Sequence, residues 1–134
     1  MRIKDILREK GLEVIAVDIN ASISIAIKKM VERRIGAVLV MEGANFVGMF
    51  TERDVLRCWA EKGVESMDNI KVSEVMTKDL VVAEPDDDVN YAMTIMINKN
   101  IRHLPVVEHG KIMSVLSIRD MVKSHVSNLQ AEVH

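Results

Sequence analysis

The segment Phe50–Leu56, FTERDVL, recurs 66 positions later as Leu116–Val122, LSIRDMV, with a hydroxyl, an arginine and an aspartate in the same order. An internal repeat constrains a fold more than local propensity does, because both copies must be the same supersecondary unit. The same offset lays Ile23, Ala26, Ile27, Met30 and Val31 on Val89, Ala92, Met93, Met96 and Ile97. Both sets have the i, i+3, i+4, i+7, i+8 spacing of a helix with one apolar face. It also superposes VIAV (Val14–Val17) on LVVA (Leu80–Ala83), AVLVM (Ala37–Met41) on HLPVV (His103–Val107), and FVGMF (Phe46–Phe50) on IMSVL (Ile112–Leu116). No gap is needed from Val14 to Leu129.

Each copy reads as strand, amphipathic helix, two strands and a second helix, a βαββα unit of mixed α/β (α+β) class. The middle strands are joined by EGAN (Glu42–Asn45) and EHGK (Glu108–Lys111), short polar stretches with glycine that suit four-residue hairpin loops between antiparallel strands. A lead-in precedes each copy, RIKDIL (Arg2–Leu7) and KVSEVM (Lys71–Met76), with Ile3, Ile6 and Leu7 matching Val72, Val75 and Met76 at an offset of 69. The expected organisation is therefore 1–62 for the first lead-in and copy, 63–70 (GVESMDNI) for a linker, and 71–134 for the second lead-in, copy and C-terminal helix. A half with two helices on one small sheet leaves a sheet face wet, so the halves are expected to cover one another by pseudo-twofold symmetry.

The 134 residues are 49% hydrophobic and 28% charged, which places the chain with folded globular proteins and leaves little room for disorder. No apolar run reaches the roughly 18 residues of a membrane span, and MRIKDILREK lacks the apolar core of a signal peptide, so a cytoplasmic protein with no membrane partner is expected. Net charge −2 and only one Trp, one Tyr and two Phe argue against nucleic acid as a partner.

Thr51–Asp54 and Ser117–Asp120 both fit a capping box, in which a hydroxyl at a helix start accepts a backbone N–H and the acid three residues on reaches back. A cap has no use for Arg53 and Arg119, since a cation opposes the positive end of the helix dipole. The same end attracts anions, and an arginine there adds affinity for phosphate.

These signatures, with MTKDLVVAEPDDDV leading into the second copy and IRHLPVVEHGKIMSVLSIRD within it, make the chain resemble a tandem pair of CBS domains, a Bateman module. The resemblance implies adenine-nucleotide binding: the hydroxyl and the basic residue reach phosphate, and the aspartate holds the ribose hydroxyls. It also implies clefts built across the pseudo-twofold axis. One would combine Thr51, Arg53 and Asp54 with Val81, Val82, Ile101, Arg102, His103 and Leu104; the other would combine Ser117, Arg119 and Asp120 with Ile15, Ala16, Ile35, Gly36, Ala37 and Val38. Arg102 and His103 suggest that the first holds more negative phosphate. Ser114 stands where the first copy has Gly48, a departure that bears on the approach to the ligand.

The function expected is a regulatory module binding AMP or NAD(H), with ADP and ATP also in range, that signals to an effector protein. It is expected to be a homodimer, with no enzymatic activity, no catalytic cofactor and no metal. Two rivals stand beside it: a nucleotide-independent interaction module regulating a thioredoxin-like or metabolic enzyme, and an enzyme using Cys58. The run Asp86–Asp88 suits capping of the following helix better than a metal, with Asn20 and Ser22 filling that place in the first copy. Cys58 is expected to be buried or at an interface. The four histidines, His103, His109, His125 and His134, lack ligand spacing.

Overall fold

A computed structural model describes the backbone of residues 1–133 and the side chains of residues 1–127; His134 and the side chain of Leu129 lie outside the described residues. The chain divides into two compact units, residues 15–80 and residues 1–14 with 81–134.

In the unit of residues 15–80, β1 (Ala16–Asp18) is followed by α2 (Ile23–Arg33), β2 (Ala37–Glu42), β3 (Asn45–Thr51) and α3 (Glu52–Lys62). The sheet order is β1-β2-β3, parallel between β1 and β2 and antiparallel between β2 and β3. Helix α2 starts where Ser22, rather than Asn20, accepts the Ile25 N–H at 3.2 Å. It stops where Arg34 turns left-handed at φ 54°. Its face of Ile23, Ala26 and Met30 packs with Val38, Val40 and Phe50.

The other unit contains α1 (Ile3–Lys10), α4 (Val89–Lys99), β4 (His103–Glu108), β5 (Lys111–Ser117) and α5 (Ile118–Val133). All four elements after α1 begin at the repeat offset from α2, β2, β3 and α3. Details follow the same offset: Asp88 caps α4, Asn100 ends it at φ 55°, and the register shift at Val40/Met41 returns at Val106/Val107. The first strand of the second copy shrinks to one parallel bridge, Ala83↔Val106, in the register of Val17↔Val40. Both hairpins close tighter than the four-residue loops expected, because Glu42↔Asn45 and Glu108↔Lys111 pair. Gly43 at φ 60°, and His109 and Gly110 at φ 52° and 75°, supply the left-handed backbone of two-residue turns that match strand twist.

The lead-ins are exchanged between the copies. Helix α1 buries Ile3, Ile6 and Leu7 among Ala83, Val89, Met96, Leu104, Leu116 and Met121 of the second copy. Val72, Val75 and Met76 instead pack with the core of the first copy. The backbone repeats this symmetrically, with Ile3 N–H donating to Asp87 O at 2.9 Å and Val72 N–H to Ala21 O at 2.7 Å. Arg2↔Asp88 and Ser22↔Lys71 are matching bridges. A cut in 63–70 therefore parts each copy from the lead-in that completes its core.

The second lead-in lies flat on β3, where Thr77 N–H donates to Met49 O and Met49 N–H to Thr77 O, at 2.8 and 2.9 Å. A Cβ on Gly48 would come 2.7 Å from Met76 Sδ and 3.0 Å from Thr77 O, so glycine is what lets this backbone approach. Arg8, at the position equivalent to Thr77, belongs to α1, and no matching bridge forms at β5 among the described residues. Ser114 fits there, fully buried, with Oγ lacking a hydrogen-bond partner among the described residues.

Ile3→Ala should cost about 2–5 kcal/mol through the cavity it leaves. Its local signature should be faster amide exchange in residues 83–121 and not in 16–58, and Val72→Ala should reverse that pattern. Faster exchange confined to each lead-in's own copy would contradict the exchange of lead-ins.

Candidate functional site

At the start of α3 the chain leaves β3 through Thr51, which pairs with Ala37, while Gly36 O accepts the Glu52 N–H at 3.0 Å. The capping box forms as the sequence requires: Asp54 N–H donates to Thr51 Oγ1 at 3.3 Å and Thr51 N–H to Asp54 Oδ2 at 3.0 Å. The carboxylate then takes further donors. Thr51 Oγ1 and Thr77 Oγ1 both reach Oδ2 at 3.2 Å, Thr77 Oγ1 also lies 3.2 Å from Oδ1, and Arg57 Nη2 donates to Oδ1 at 2.9 Å. Arg57 also holds Val75 O at 3.0 Å, and the Asp54 side chain is 3% exposed.

The start of α5 repeats the cap with different surroundings. His103 pairs with Ser117, Arg102 O accepts the Ile118 N–H at 2.8 Å, Ser117 N–H donates to Asp120 Oδ2 at 2.9 Å, and Asp120 N–H to Ser117 Oγ at 3.0 Å. From α1, Lys10 Nζ reaches Asp120 Oδ2 at 2.7 Å and Val115 O at 2.6 Å. Here the aspartate side chain is 32% exposed. Burial pushes the Asp120 carboxyl up, but the hydrogen bonds from Lys10 and Ser117 and the lysine charge outweigh it and hold the group below its usual 3.8.

Of the residues expected from the sequence, Ile15, Ala16, Ile35, Gly36, Ala37 and Val38 lie in the unit of Thr51, Arg53 and Asp54. Val81, Val82, Ile101, Arg102, His103 and Leu104 lie in that of Ser117, Arg119 and Asp120. Within each unit the start of the second strand stands beside its own copy's helix entrance, Gly36–Ala37 at Thr51 and Arg102–His103 at Ser117. Arg53 and Arg119 are both exposed, whereas Val38 and Leu104 are core side chains. The sequence reading missed Arg57, Thr77 and Lys10. Arg57 was legible as an i, i+3 partner of Asp54; the other two arrive from the exchanged lead-ins.

The aspartates after Pro85 have structural partners: Asp88 caps α4 through Tyr91 N–H at 2.9 Å, Asp87 accepts the Glu84 N–H at 2.8 Å, and Asp86 pairs with Lys4 at 3.0 Å. Cys58 is 2% exposed, and burial pushes its thiol up, away from the reactive thiolate.

Native protein at pH 7 should accordingly resist iodoacetamide and react once unfolded in urea; modification of the folded protein within minutes would reopen thiol chemistry. The depressed Asp120 carboxyl stabilises the fold above its unfolded pKa of 3.8, and that contribution is lost as pH falls through the lower folded value. Lys10→Met should cost about 1 kcal/mol or less at pH 7, as partly exposed pairs do. Denaturant titrations should show the deficit shrinking below about pH 4; a deficit independent of pH would remove the ion pair as its cause.

The CBS domain model matches residues 3–61 and again 72–127. A CBS-domain containing protein from Agrobacterium tumefaciens is 35% identical, superposes with a TM-score of 0.89, and the match covers 93% of this chain and 99% of that one. A CBS domain protein from Pyrobaculum aerophilum, solved in complex with AMP, shares the fold at a TM-score of 0.81 and 22% identity over 100% of both chains. A CBS domain pair in complex with 5-methylthioadenosine and S-adenosyl-L-methionine does so at 0.82 and 23%, over 96% of this chain and 98% of that one. The chain spans 67%, 54% and 41% of the length of three curated relatives. None of the described helices is long and apolar enough to cross a membrane. With both copies matched and the fold shared along nearly the whole chain, the protein belongs to the CBS domain family and carries two such domains.

Proposed function

We propose that this CBS pair is a regulatory module that binds an adenine nucleotide, AMP or NAD(H) foremost, and passes the binding state to an effector protein. The carrying observation is the entrance to α5. A partly exposed carboxylate, held ionised by Lys10, stands one residue from an exposed arginine at a helix start. A carboxylate accepts two hydrogen bonds from a ribose diol, and guanidinium gives charge-assisted contacts to phosphate. Two CBS proteins of the same fold were solved with adenosine-containing ligands, which supports adenosine as the shared moiety.

Regulation requires the nucleotide to have different affinity for two conformations, so that binding shifts their populations. A partner surface also belongs to this proposal. On α3, Leu56 and Trp59 are 69% and 57% exposed, three positions apart on one face. Exposed aromatic and aliphatic side chains of this kind favour a protein contact, either a second copy in a homodimer or the effector. The same surface favours the alternative of a nucleotide-independent interaction module, which nucleotide binding would reject. The cytoplasmic setting inferred from the sequence is retained.

Thermal denaturation against AMP, ADP, ATP, NAD, NADH and S-adenosylmethionine tests the proposal. A ligand at 100 times its dissociation constant adds about 2.7 kcal/mol and should raise the midpoint by several degrees. An unchanged midpoint with every member of the panel at millimolar concentration would reject nucleotide binding.

A further inference from the structure

The two copies form the same capping box, yet their aspartates differ in what remains to be bound. A carboxylate has about four acceptor positions. At Asp54 these are engaged by Thr51 N–H, Thr51 Oγ1, Thr77 Oγ1 and Arg57, in a side chain 3% exposed. A sugar diol would have to break protein hydrogen bonds in a buried setting to reach it, leaving donors unsatisfied. Thr51 Oγ1 is itself engaged with Asp54, lying 3.2 Å from Oδ2 and accepting the Asp54 N–H at 3.3 Å.

At Asp120 the cap and Lys10 both fall on Oδ2, and among the described residues Oδ1 receives no hydrogen bond. The side chain is 32% exposed. Two acceptor positions therefore remain, the number a cis-diol needs. Lys10 has three N–H donors, of which Val115 O and Asp120 take two, and it is itself 35% exposed. Among the described residues the third has no acceptor, which leaves it to an oxygen beside the carboxylate.

Charge separates the copies in the same direction. Arg102 stands beside the α5 entrance where Gly36 stands beside that of α3. At the lead-in offset the counterpart of Lys10 is Asp79. Lys10, Arg102 and Arg119 thus belong to the second copy's unit, while the same positions give the first copy Arg53 alone, with an acid in place of the lysine.

Resting on the nucleotide-binding reading, we propose that Asp120 alone of the two aspartates takes the ribose, and that Lys10 is a ligand-contacting residue which makes this entrance the phosphate-bearing one. Asp54 is a structural cap that locks α3 to the second lead-in. The more anionic role thereby moves to the Ser117 set, the reverse of what the sequence suggested for the Thr51 set.

Calorimetric titration of the full chain with AMP, 2′-deoxy-AMP and adenosine decides this. Wild type should bind one AMP per chain. Asp120→Asn should weaken AMP by about tenfold or more, the worth of charge-assisted hydrogen bonds, and erase the preference over 2′-deoxy-AMP. Lys10→Met should weaken AMP about tenfold while changing adenosine far less, a split that a merely structural lysine would not produce. Asp54→Asn should lower the melting temperature and keep the AMP dissociation constant within about threefold. Thr77→Val, which removes one donor from Asp54, makes the same test should that variant not fold. Two AMP per chain, a loss at Asp54 equal to that at Asp120, or an unchanged AMP-to-adenosine ratio in Lys10→Met would overturn the assignment and leave nucleotide binding standing. Wild type that binds neither AMP nor adenosine would overturn the assignment, and nucleotide binding falls with it only if the other members of the panel also leave the melting midpoint unchanged.

Discussion

The burial of each lead-in in the core of the opposite copy is the contact on which the rest depends. Ile3 and Val72 are both fully buried, each in the core cluster of the copy its lead-in completes. Full burial of such side chains contributes about 1.5–3 kcal/mol each, which is large against the marginal stability of a small unit. The backbone follows the side chains: Val89 N–H donates to Met1 O and Ile23 N–H to Ile70 O, fixing each lead-in at the start of the helix it completes. The exchange also brings chemistry with it. Lys10 reaches Asp120 because α1 packs on the second copy, and Thr77 reaches Asp54 because the second lead-in pairs with β3.

Much of this fold is legible in the sequence, because the repeat carries local information twice. The apolar faces of α2 and α4, the antiparallel hairpins and both capping boxes rest on interactions within a few residues, where periodicity and turn chemistry are direct readouts of structure. The tight turns at Gly43 and His109–Gly110 lie at the limit of that legibility, since one extra pair per hairpin decides between two and four loop residues. The loss of the first strand in the second copy to a single bridge at Ala83 depends on tertiary pairing and has no sequence signature.

The partners of the two aspartates were less legible, for the same reason. Lys10 and Asp120 are 110 residues apart, and nothing in either segment marks the other as its neighbour. The offset of 69 for the lead-ins against 66 for the copies was visible, but an offset does not say on which copy a lead-in packs. Both assignments satisfy the apolar pattern of Ile3, Ile6 and Leu7. Arg57 shows the contrast, since its bond to Asp54 spans three helix positions and could be read from spacing.

Duplication leaves one residue type in two different surroundings. In both copies the cap occupies Oδ2 of the aspartate, so the fate of Oδ1 decides whether the group is structural or open to a ligand. In the first copy Oδ1 is met by Arg57 and Thr77. Their counterparts by offset are Lys123, exposed on α5, and Arg8, exposed on α1, and neither donates to Asp120 among the described residues. Lys10 instead binds the oxygen already engaged by the cap. Changes at positions outside the repeated signature thus convert the same Thr/Ser-x-Arg-Asp start from a saturated, buried lock into a half-satisfied carboxylate beside a lysine. A repeat can keep its fold while its copies diverge in chemistry, provided the cap needs only one of the two carboxylate oxygens.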